Sequence, residues 1–100
     1  MASFSVENLV ASIEKGKVRG YDEVRDIDGG SYFFQYAIKK QGEKYVAYFF
    51  CVLESKMDVF EDYATEELSE FSSVEEAFDY FRLKNVDVGR FSSMKGVLPF

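Results

Sequence analysis

Val6, Leu9, Val10 and Ile13 recur at i, i+3, i+4 and i+7, the stripe that one face of a helix buries. Ser5 stands at the N-cap position with Glu7 in the first turn, and Phe4 precedes the cap where it can staple onto Leu9. Lys15 and Gly16 close the pattern, so the spacing predicts a helix over 6–15. The hydrophobic period then drops to two. Residues 21–27 (YDEVRDI), 31–40 (SYFFQYAIKK) and 43–53 (EKYVAYFFCVL) read as strands. Asp28-Gly29-Gly30 and Gln41-Gly42 supply the turns between them, which gives an antiparallel meander.

Alternation sorts these strands into faces. The third puts Tyr45, Ala47, Phe49, Cys51 and Leu53 on one side and Val46, Tyr48, Phe50 and Val52 on the other, and both sides are apolar. The second puts Tyr32, Phe34, Tyr36 and Ile38 on one side, and Phe33, Gln35 and Ala37 on the other. The sheet is therefore expected to have one heavily apolar face and one mixed face. Met57–Tyr63 (MDVFEDY) reads as a fourth strand. Residues 64–71 fit two patterns: Phe60, Ala64, Leu68 and Phe71 match helical spacing, while the position after a strand favours a turn and a short fifth strand.

Ser73-Val74-Glu75-Glu76 fits a capping box, and Val74, Ala77, Phe78 and Phe81 form a second helical stripe, so a helix is predicted over 74–84. The remaining residues have no period. Val86, Val88, Phe91, Met94, Val97, Leu98 and Phe100 are too apolar for a solvated tail and are expected to dock on the sheet or a helix. The pattern predicts a single α+β domain over 1–100. An antiparallel β-meander sheet of four to five strands is flanked by an N-terminal and a C-terminal α-helix. A chain of this length buries roughly 65% of its unfolded surface, enough for a core without disulfides.

Composition narrows the chemistry. Histidine is absent, which removes the usual general base near neutral pH and the commonest metal ligand. The one cysteine, Cys51, lies in the apolar run and reads as a small buried hydrophobe. No segment has the length of a membrane span, and the start has neither a basic region nor a long apolar one, so a cytoplasmic protein is expected. EKGKVRG lacks the spacing of a phosphate-binding loop. Asp58, Glu61 and Asp62 do not match a calcium loop. The tyrosines fall mostly on predicted strands, where a ring packs and a hydroxyl reaches water. No catalytic residue, metal site or cofactor is expected.

Charge is the feature that packing does not explain. Residues 1–53 carry no net charge, residues 54–79 carry −9 and residues 80–100 carry +3, which gives the chain's −6. From Val59 to Asp79 there is no lysine or arginine. Acids at a helix start explain Glu75 and Glu76, and charged edge strands explain others as protection against aggregation. Like charges this dense also suit a docking surface for a basic partner, with interleaved aromatic residues as anchors. The expected partner-binding residues are Glu61, Asp62, Tyr63, Glu66, Glu67, Glu70 and Phe71. Direct nucleic-acid binding is not expected at this charge.

In composition the chain resembles small acidic inhibitor proteins of bacteria and phages, single domains without catalytic residues. That resemblance implies a non-enzymatic inhibitor, immunity-protein-like or a nucleic-acid mimic, that docks on a nuclease-type toxin or a nucleic-acid-binding protein. The alternative is a homodimeric structural or small-ligand-binding module that uses the aromatic sheet face.

Overall fold

The N-terminal stripe forms helix α1 (Val6–Glu14) in the computed structural model, which describes residues 6–59 and 64–94. Leu9 and Ile13 are its buried positions. Gly16 ends it at φ +85, where the Gly16 N–H donates to Ile13 O and the Lys17 N–H to Ser12 O. That pair of bonds is a Schellman cap, and the positive φ is why glycine stands there. The meander follows as β1 (Arg19–Ile27), β2 (Gly30–Gln41) and β3 (Lys44–Leu53). Asp28 and Gly29 both have positive φ between Ile27 and Gly30, the backbone a two-residue type I′ hairpin requires.

The connection after β3 differs from expectation. Glu54–Val59 is a 3-10 helix, so Met57–Val59 are not in a strand. The reason is topological. The free edge of β3 is taken by β4 (Thr65–Phe71), which begins with Thr65 opposite Cys51. With both edges of β3 paired, Glu54–Val59 have no free edge there to join. The short strand reading of 64–71 is thereby the one realised. Helix α2 (Val74–Leu83) has Ser73 as N-cap, accepting from the Glu76 N–H at 3.2 Å. The Glu76 carboxylate reaches back to the Ser72 N–H at 3.1 Å, one residue earlier than a standard capping box. Asn85, at φ +62, forms a second Schellman cap in which the Val86 N–H donates to Phe81 O. Val86 and Phe81 are both buried in one core, the apolar contact that accompanies this motif.

A strap from Asn85 returns across the sheet. It contains a 3-10 turn (Val88–Arg90) and β5 (Ser92–Ser93), which pairs with Arg19 and Gly20 of β1. The five strands lie in the order β4-β3-β2-β1-β5, all neighbours antiparallel. The expected Ser5 cap, the Phe4 staple, strand positions 60–63 and tail positions 95–100 lie outside the described residues.

Both helices and the strap pack on one face of the sheet. Leu9, Ile13, Phe34, Tyr36, Ile38, Ala47, Phe49, Phe78, Phe81, Val88 and Phe91 belong to a single buried cluster. Its centre is aromatic: Phe81 meets Phe91 edge-on at 5.0 Å, and Tyr36 lies 5.8 Å from Phe49 and 5.0 Å from Tyr21. The two flanking helices thus cover the heavily apolar face of the sheet. On the opposite face Ala37, Val46, Tyr48 and Val52 are also buried within the one chain, while Phe33 and Phe50 are half-buried and meet edge-on at 6.2 Å.

Two substitutions test this packing. Phe49→Ala should cost about 3–5 kcal/mol, and Phe50→Ala roughly half as much because its ring is only half covered. Equal denaturant midpoints for the two variants would contradict the assignment of faces. Gly20→Ala should cost about 3 kcal/mol or more. A methyl group there would meet the Tyr36 carbonyl oxygen and lie 2.8 Å from Ala37 Cα, and backbone atoms cannot step aside as a side chain can. A Gly20→Ala protein with an unchanged melting temperature would refute that close approach.

Candidate functional site

Strand alternation divides the acidic stretch. On β4, Glu66, Leu68 and Glu70 face away from the helices, opposite Phe50, Tyr48 and Val46 of β3. Thr65, Glu67, Ser69 and Phe71 face α2. The two sets do different things. Glu67 accepts the Tyr80 hydroxyl at 2.6 Å and the Lys84 ammonium at 3.1 Å. Lys84 in turn lies over the rings of Phe49 (4.5 Å) and Tyr80 (5.2 Å). Phe71 packs at 5.4 Å from Tyr80 and against the core. These two predicted partner-binding residues therefore hold α2 to the sheet. Tyr80 and Lys84 hold the Glu67 carboxyl below the usual range, against a smaller opposing effect of burial.

Glu66 and Glu70 are exposed, and so is Leu68 between them at 51%. Glu66 accepts the hydroxyl of Tyr48 at 2.9 Å, and Tyr48 is otherwise buried. On α2, which packs on the other face of β3 and β4, Glu75, Glu76 and Asp79 are exposed as well, Asp79 in an ion pair with Arg82 at 3.2 Å. Of the remaining expected residues, Glu61, Asp62 and Tyr63 lie outside the described residues.

A second charged cluster escaped the sequence reading. Glu23 of β1 accepts the hydroxyl of Tyr36 at 2.8 Å, the Arg25 guanidinium at 2.8 Å and that of Arg90 at 3.1 Å. Arg25 also donates to the Asn85 carbonyl at 2.7 Å, and Arg90 stacks over the Tyr21 ring at 4.4 Å. The Tyr21 hydroxyl accepts the Asp87 N–H at 3.1 Å. Together these bonds pin the strap to β1. The signal was present as Glu23-x-Arg25, two opposite charges on one strand face beside tyrosines. A third group, Glu14 with Tyr45 (2.5 Å) and Lys40 (2.9 Å), pins the end of α1 to β2 and β3.

These groups have a common electrostatic outcome. Burial, then the bond to a glutamate, pushes the Tyr36, Tyr48 and Tyr80 hydroxyls far above the ordinary phenol range. They stay protonated as donors and are poor nucleophiles. Burial also raises the Cys51 thiol, which keeps it in the unreactive form. Cys51 lines a cleft of about 240 Å³ with Tyr32, Val52, Leu53, Lys56 and Thr65. Among the described residues no three histidine, cysteine, aspartate or glutamate side chains are grouped to hold a metal, and no helix is long and apolar enough to cross a membrane.

Glu23 sets an expected pH dependence. Burial would raise its carboxyl, but Tyr36, Arg25 and Arg90 outweigh burial and hold it below the ordinary value of 4.5. A group depressed on folding adds stability above its unfolded pKa and loses it as pH falls through the folded one. Its side chain is 14% exposed, against 40% for Glu14 and Glu67, so it should dominate the three. Glu23→Gln should lower stability at neutral pH and flatten its decline below about pH 4.5. Urea midpoints measured across that range check this; parallel declines in wild type and variant would contradict it. Comparison with known protein families, with curated proteins and with solved structures finds no match to this chain.

Proposed function

We propose that this protein is a non-enzymatic binding protein that docks its acidic β4 edge on a basic surface of a partner protein, such as a nuclease-type toxin or a nucleic-acid-binding protein presents. The observation that carries this reading is the row Glu66, Leu68, Glu70 on the outward face of an edge strand. Neither Glu66 nor Glu70 has an ion pair among the described residues, whereas Glu14 and Glu67 each have one and Glu23 has two. Carboxylates without cations repel each other, and a complementary surface relieves that repulsion. Leu68 gives the patch an apolar centre within a charged rim, the usual anatomy of an interface. The reading of a homodimer through the aromatic sheet face has less support, because Ala37, Val46, Tyr48 and Val52 are already buried within one chain.

Affinity capture at low salt, followed by kinetics with the captured protein, tests the proposal. Glu66→Gln/Glu70→Gln removes both charges and leaves an acceptor for the Tyr48 hydroxyl. Association should slow by about tenfold at low salt and the difference should shrink at physiological salt, where the Debye length is about 8 Å. Dissociation should change much less. An association rate equal to wild type at low salt would overturn the proposal.

A further inference from the structure

The β4 edge has a second property besides charge. β3 lies on one side of β4, and no described strand lies on the other. Alternate backbone N–H and C=O groups of an edge strand point outward and form a template for another strand. Natural edges are commonly blunted by proline, by a bulge or by brevity. β4 has seven residues, TEELSEF, with neither proline nor glycine. It pairs with β3 in unbroken register from Tyr45↔Phe71 to Cys51↔Thr65, so it carries no bulge. At the opposite edge, β1 is capped by β5 and crossed by the strap. Among the described residues, the edge protection left to β4 is its charge.

We propose that β4 receives an extended basic segment of a partner protein as a sixth strand, with cations two residues either side of an apolar residue. This rests on the acidic-surface reading above and names the partner's form. Charge selects the occupant. A second copy, paired antiparallel about Leu68, would set Glu66 opposite Glu70 twice, and like charges directly opposite destabilise a sheet. A segment with Lys or Arg at i and i+4 and an apolar residue at i+2 places cations against both glutamates and covers the half-exposed Leu68. The row Glu66, Leu68, Glu70 is symmetric about its centre, so the same segment fits in either strand direction. Main-chain hydrogen bonds then hold the segment and the alternate side chains select it, as in other strand additions.

A blocked heptapeptide, Thr-Lys-Thr-Val-Thr-Lys-Thr, tests this by fluorescence and NMR titration at low salt. Two derivatives keep its charge: one is N-methylated on the lysines and valine, the other on the threonines. A peptide strand offers only one alternate set of N–H groups to an edge. One derivative should therefore bind at least about tenfold more weakly than the other. The parent peptide should slow amide exchange along 65–71 and should lose affinity for Glu66→Gln/Glu70→Gln. If both derivatives bind like the parent, strand addition is overturned and the acidic surface stands. If the parent fails to bind wild type, or binds the neutral variant equally well, strand addition and the acidic-surface reading fail together.

Discussion

A phenol buried along with its ring must donate its hydroxyl to an acceptor, and the Tyr36–Glu23 hydrogen bond is the interaction on which the rest of this structure depends. Tyr36 sits in the middle strand of the sheet, paired with Tyr21 on one side and Phe49 on the other. It has no exposed surface. Its hydroxyl draws a carboxylate into a largely covered position, and a covered carboxylate needs cations. Arg25 supplies one from the same strand, and Arg90 supplies another from the strap. Anchoring Arg90 places Phe91, one residue on, against Phe81 and Tyr21. One buried hydroxyl thus connects the centre of the sheet to the closure of the core more than fifty residues later.

The same pairing of tyrosine and glutamate recurs at each junction. Tyr45 with Glu14 joins α1 to the sheet, and Tyr80 with Glu67 joins α2 to β4. Each has a lysine on the glutamate, Lys40 in one case and Lys84 in the other. Tyr48 with Glu66 has the phenol and the carboxylate but no cation among the described residues. Glu14, Glu23 and Glu67, which tie the helices and the strap to the sheet, each carry a cation where they stand. Among the described residues, Glu66 and Glu70 on β4 and Glu75 and Glu76 on α2 are exposed with no ion pair, within the stretch of the sequence that lacks lysine and arginine.

Where periodicity was strong, the fold was readable. Val6 to Ile13, Val74 to Phe81 and the two glycine turns each determine their elements through contacts within a few residues, and the helices and hairpins follow. The stretch 64–71 was ambiguous because Leu68 and Phe71 suit a helix as well as a strand, and only pairing with β3 decides between them. That decision also sorts the site. On a strand, Glu66 and Glu67 are adjacent in sequence but on opposite faces, so one serves the surface and the other serves α2. The apolar character of the tail was visible, but the pairing of Ser92 and Ser93 with β1 was not, since it depends on partners some seventy residues away.

The separation between β5 and β1 also bears on the order in which the protein assembles. Each hairpin of the meander joins strands that are neighbours in sequence, with short loops to close. Pairing Arg19 with Ser93 closes a loop of most of the described chain, which carries a larger entropic cost. Until that loop closes, the space that Phe91 fills stands open to water beside Tyr21, Tyr36 and Phe81. The strap acts as the keystone of the domain: only two of its residues pair with the sheet, its pairing closes the longest loop among the described strands, and Phe91 completes the aromatic core only when it is in place.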